Sequence, residues 1–91
     1  MKKHTRIYLT AMGYDPCDWI QCEIPGCGQA ACDIHHIKSR GMGGSKEKDN
    51  PENLMGLCRP HHEQYGDKKQ HIDFLLKTHK RLLYERNSIS N

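Results

Sequence analysis

The sequence has little from which to build a core. One tryptophan and one phenylalanine stand among 91 residues, and 35% of the chain is hydrophobic. A chain this short buries a modest fraction of its surface, and many of its size need a disulfide or metal staple. Long apolar runs are missing too. No stretch approaches the roughly 18 apolar residues of a membrane span. The opening MKKHTRIYLTAMGYDP holds no apolar segment of signal-peptide length. The expectation is an intracellular chain with no membrane partner. Strong charge of one sign is also missing. The net charge is +3, with seven histidines left out of that sum, which permits a polyanionic partner without demanding one. No internal repeat and no second domain is seen, so a single domain over 1–91 is expected.

An even cysteine count is the next absence. There are five cysteines, whereas secreted disulfide scaffolds usually carry an even number. In a reduced compartment, Cys and His in short-spaced pairs point to metal. Cys22-x4-Cys27 and Cys58-x2-His61 form two such pairs, separated by about thirty residues. Two pairs of this kind can supply the four N or S ligands of a tetrahedral zinc. Cys17 and Cys32 continue the same five-residue spacing, so 17/22 and 27/32 are conceivable pairs. The Glu23-Ile24-Pro25-Gly26 segment has the better turn chemistry and favours 22/27. Cys17 and Cys32 then read as small apolar packing residues. A closed four-ligand site leaves no room for substrate, so this zinc would be structural.

The pattern predicts an α+β chain. Residues 4–14 lean to a short helix ending near Gly13, and 17–32 read as loops and a tight knuckle. The run 33–37 suits a short strand, 38–53 a polar glycine-containing loop, and 54–57 a return strand. A helix begins near Cys58, with Pro60 early in it and Gly66 at its end. The clearest element covers about 70–86, where Ile72, Leu75, Leu76, His79, Leu82 and Leu83 follow helical spacing. His79 is taken as a helix-face residue, not a ligand.

Three histidines remain in the neighbourhood of the zinc pairs: His35, His36 and His62. CEIPGC, then DIHHIKSRGMGGS, then ENLMGLCRPHH resembles the HNH endonuclease family in the zinc-stapled form found among small phage and bacterial proteins. The likeness covers Cys22 to His62, within a motif core of 22–66. It implies a ββα-metal fold with a zinc knuckle and flanking helices, in which a hairpin and a helix grip one divalent ion beside a catalytic histidine. Carried over by position, His35 and His62 match ligands of the catalytic ion, His36 matches the general base, and Asn53 matches the residue that holds the base loop. Cys22, Cys27, Cys58 and His61 match the structural zinc ligands. Many relatives carry another metal-binding side chain one helical turn after His62. Here that position is Gly66, with Asp67 next to it and His71 further on.

The resemblance implies hydrolysis of DNA phosphodiester bonds. A neutral imidazole can take a proton from water near neutral pH. A hydrated Mg²⁺ or Mn²⁺ suits a site with few protein ligands. Lys38, Arg40 and Arg59 would contact phosphates, and the glycines at 41, 43 and 44 would let that loop approach a nucleic-acid backbone. Neighbouring strand residues point to opposite faces, so His35 and His36 can share one site only if the strand twists, bulges or ends there. Two other functions fit parts of the pattern. One is a non-catalytic zinc module binding nucleic acid or a protein. The other is a component of a phage assembly that works with a terminase-like partner. A phage-encoded or prophage-encoded chain in a bacterial cytoplasm would suit each.

Overall fold

Gly13 ends the first helix in the way the sequence suggests. Helix α1, Lys3–Met12, gives way to Gly13 at φ 79°, and the Tyr14 N–H bonds back to the Leu9 carbonyl at 2.9 Å. A left-handed residue at this position costs glycine nothing. The computed structural model describes residues 2–38, 49–66 and 68–89. After α1 come strand β1, Asp33–His36, a short 3₁₀ turn, Pro51–Asn53, and strand β2, Leu54–Leu57. Helix α2, Arg59–Tyr65, a second 3₁₀ turn, Lys69–His71, and helix α3, Ile72–Ile89, complete the chain. The predicted helix over 70–86 thus starts as a 3₁₀ turn and runs on to Ile89.

The two strands pair antiparallel, with Asp33 opposite Leu57, His35 opposite Met55 and His36 opposite Leu54. Alternation along the strands sorts their side chains onto two faces. Met55 and Leu57 join Cys22, Ile24, Ile37, Cys58 and Leu75 in one buried cluster. Leu54 joins Tyr8, Leu9 and Met12 in another, with Ile34 packed against it. One face therefore carries α1 and the other carries the cysteine knuckle and α2. Helix α3 serves both, through Leu75 on one side and Leu82 and Leu83 on the other. Near its C-terminal end, Arg86 donates to the Met12 carbonyl and lies 4.4 Å over the Tyr14 ring. That contact satisfies an end carbonyl of α1 and ties the two helices together.

The centre of the fold is polar. Glu23 is buried beside the knuckle and accepts from the Tyr8 hydroxyl, from the Gly56 N–H at 3.0 Å and from His79 Nδ1 at 2.8 Å. His79 Nε2 reaches the Pro51 carbonyl at 2.5 Å. His79 is 0% exposed, so it is a buried partner joining α3 to the knuckle and to the turn before β2, not an ordinary helix-face residue. Gly56 leaves room for this network, since a Cβ there would lie 3.0 Å from the Tyr8 hydroxyl oxygen. Among the described residues, no helix is long and apolar enough to cross a membrane.

Candidate metal centre

The knuckle is built on a type II turn. Pro25 and Gly26 take its central positions, Gly26 has φ 82°, and the Cys27 N–H bonds to the Ile24 carbonyl at 3.0 Å. Proline pre-sets the first central residue and glycine tolerates the positive φ of the second. The turn brings Cys22 and Cys27 onto one side. An antiparallel bridge between Gln21 and Ala30 closes its base, and the Glu23 N–H bonds to the Gly56 carbonyl at 2.9 Å, fixing the knuckle to β2. Cys58 leaves β2 as the residue before α2, and His61 follows in the first turn of that helix.

The ligand atoms of Cys22, Cys27, Cys58 and His61 lie within 4.8 Å of one another. His61 Nδ1 is 3.5 Å from Cys22 Sγ and 3.2 Å from Cys58 Sγ, and Cys27 Sγ is 3.9 Å from Cys58 Sγ. A tetrahedron with Zn–S bonds of about 2.3 Å and a Zn–N bond of about 2.0 Å has edges of roughly 3.5–3.8 Å. The four side chains are close enough to hold a metal ion, and both the donor set and the spacing are compatible with a structural zinc. Burial pushes the Cys22 thiol up to about 11, while the Gln29 backbone holds Cys27 below its ordinary value. Tyr65, one turn after His61, stacks on that ring at 5.9 Å. Cys17 and Cys32 stand outside the cluster, exposed instead of packed in apolar surroundings.

His35 and His36 leave β1 on opposite sides. His35 is buried on the α2 side, with its ring centroid 4.8 Å from that of His62. Asp33 shares that face by strand alternation, and its carboxylate lies 3.4 Å from His62 Nδ1. His36, the last residue of β1, turns toward α1, where its ring is 4.6 Å from that of His4. Its Nε2 lies 2.6 Å from an Asp49 carboxylate oxygen.

Asn53 is buried and locks the strand end. Its side-chain oxygen accepts from the Lys38 N–H at 2.8 Å, and its amide donates to the Lys38 carbonyl at 3.2 Å. Its own carbonyl accepts from Ile37 N–H at 2.8 Å. The backbone just beyond His36 is thereby held on both sides.

Gly66 follows from His62. A Cβ at position 66 would come within 2.4 Å of the His62 carbonyl oxygen and 2.6 Å of its ring, so any side chain there would displace His62. His71 packs edge-on to Tyr65 at 4.9 Å. Lys38 and Arg59 are exposed. Arg40, the glycines at 41, 43 and 44, and Asp67 lie outside the described residues. Sequence reasoning missed Asp33 and Asp49. Alternation places Asp33 on the His35 face and could have found it, whereas Asp49 is brought to His36 by the return of the chain after a long connection. Comparisons with protein-family models, with curated proteins and with solved structures give no match.

Proposed function

We propose that the chain is a metal-dependent endonuclease of the ββα-metal type, hydrolysing phosphodiester bonds in DNA, with a structural zinc at Cys22, Cys27, Cys58 and His61. The observation that carries this reading is the meeting of His35 and His62 between β1 and α2, directly beside a strand end where His36 is held. A zinc module needs neither feature. The HNH-like order of these residues in the sequence agrees with it.

His35 and His62 would hold a divalent ion, Mg²⁺ or Mn²⁺, with the Asp33 carboxylate close to His62. Nitrogen and oxygen donors on one side only, with the rest left to water and phosphate, fit a hydrated cation. When bound, the ion would supply positive charge to offset the negative charge that builds up at the phosphate during cleavage. His36 acts on water. The water O–H bond breaks, its proton passes to the imidazole, and the oxygen lone pair attacks phosphorus. The P–O3′ bond breaks, and the 3′-oxygen leaves with the bonding pair and takes a proton from solvent. In-line attack puts the entering and leaving oxygens on opposite sides of phosphorus. On this reading base and ligands belong on different sides of the reacting group. Asn53 keeps the strand end in place, and the exposed Lys38 and Arg59 attract the phosphate backbone.

The test uses zinc-loaded protein with supercoiled plasmid in Mg²⁺, Mn²⁺ or Ni²⁺. The wild type is expected to nick the plasmid, and His36→Ala to lose nicking by at least 10²-fold with unchanged zinc content and circular dichroism. Plasmid binding without nicking in any of the metals would favour a non-catalytic module. Nicking retained by His36→Ala would remove His36 from the role of base.

A further inference from the structure

The partner of His36 has chemistry of its own. The Asp49 carboxylate oxygen lies 2.6 Å from His36 Nε2, and the two side chains are only 10–12% exposed. A carboxylate can only accept a hydrogen bond, so the nitrogen facing it carries the proton. In a neutral ring this leaves Nδ1 with the free lone pair.

Both residues sit on well-held backbone. Asn53 grips the chain at Lys38, two residues after His36. On the other side, the Asn50 side chain accepts from the Glu52 N–H at 2.9 Å and the Asn50 carbonyl accepts from the Asn53 N–H at 3.0 Å. The turn after Asp49 and the end of β1 are thus parts of one clamp. His4 of α1 stands against the His36 ring, tilted 56° to it, and limits how the ring can rotate.

We propose that Asp49 is a positioning residue for His36: it holds the ring as the Nε2–H tautomer, so that Nδ1 is the atom that receives the proton from water. The proposal rests on the reading of His36 as general base. In this role Asp49 acts through the His36 ring and not on water or phosphate directly. It orients the ring and offsets the positive charge that appears on it when Nδ1 is protonated, the division of labour of a carboxylate–histidine pair in hydrolases.

The experiment uses the full zinc-loaded chain with ¹⁵N-labelled histidine. Long-range ¹H–¹⁵N spectra report the tautomer of His36 without substrate or catalytic ion. Wild type is expected to show Nε2–H with Nδ1 bare, and Asp49→Asn to lose that preference. In plasmid nicking, Asp49→Asn is expected to lower kcat roughly 10–100-fold with DNA affinity unchanged, and Asp49→Glu to recover part of the loss. A wild-type ring protonated at Nδ1 overturns the proposal whether or not any variant folds. An unchanged tautomer and unchanged kcat in a folded Asp49→Asn protein overturn it as well. The expected tautomer, sensitive to Asp49→Asn, in a wild type that nicks no DNA would sink the hydrolytic reading while supporting the hold of Asp49 on the ring.

Discussion

Both ring nitrogens of His79 face acceptors, the Glu23 carboxylate and the Pro51 carbonyl. Burial alone would pull its pKa down, but the hydrogen bond and charge of Glu23, with help from Pro51 and Glu52, raise it above the ordinary 6.5. A histidine whose pKa is higher folded than unfolded stabilises the fold fully below the unfolded value. That contribution fades as pH rises through the folded value. Wild type, saturated with zinc, is therefore expected to lose stability from about pH 6.5 upward relative to His79→Gln. Urea unfolding of both proteins across pH 5.5 to 9 measures the difference, and parallel curves would rule out a buried imidazolium. Nothing local in the sequence announces this pair. His79 falls on the apolar stripe of its helix, and Glu23 stands 56 residues away between two knuckle cysteines. Pairing across such a separation is a product of the whole packing, which pattern reading does not reach.

The knuckle is the element whose chemistry was most open to reading. Pro25-Gly26 between two cysteines predicts a tight turn, and the turn that forms uses both residues in the positions their backbones favour. The same holds for β2, whose bounds match the expected 54–57, and for the apolar stripe of α3. These elements have local causes, in turn chemistry and periodicity. The grouping of Cys22, Cys27, Cys58 and His61 was legible for the same reason, since each pair is local and only the closure is long-range. The histidine partners were not, because His4 and Asp49 reach His36 from other elements. At the knuckle, Gly26→Ala introduces a Cβ that meets nothing within 4 Å, so its cost is backbone strain alone. A left-handed alanine costs about 1 kcal/mol, or roughly fivefold in zinc affinity if the strain is carried by the bound form. Competition against a chromophoric chelator reads this directly. Gly28→Ala, with open space and no positive φ, is the control and is expected to bind as wild type.

At the scale of the molecule, an ion held by the Cys₃His cluster would fasten the loop at 22–27 to the start of α2, and Cys22 and Cys58 are themselves part of the buried cluster beneath the strands. The ion proposed there is therefore joined to the core. Structural zinc sites contribute about 10–16 kcal/mol of apparent binding energy near neutral pH, comparable to or larger than the roughly 5–15 kcal/mol of net stability in a small folded chain. Removing zinc with a strong chelator is expected to unfold most of the protein, with loss of helical circular dichroism and of the cooperative melt. Cys27→Ser is expected to behave in the same way without chelator. Because an ion that binds only the folded state stabilises it by mass action, the melting temperature should rise with the logarithm of free zinc. Mg²⁺ should not substitute, since it prefers oxygen ligands and this site offers three sulfurs and a nitrogen. On the proposed assignment the two metal requirements therefore separate. Zinc alone should restore the melt, and nicking should return only when Mg²⁺ or Mn²⁺ is added to the zinc-loaded protein. If the chelated protein keeps its helical signal and its melt, packing alone holds the strands and helices, and metal binding by the four side chains has no part in stabilising the fold.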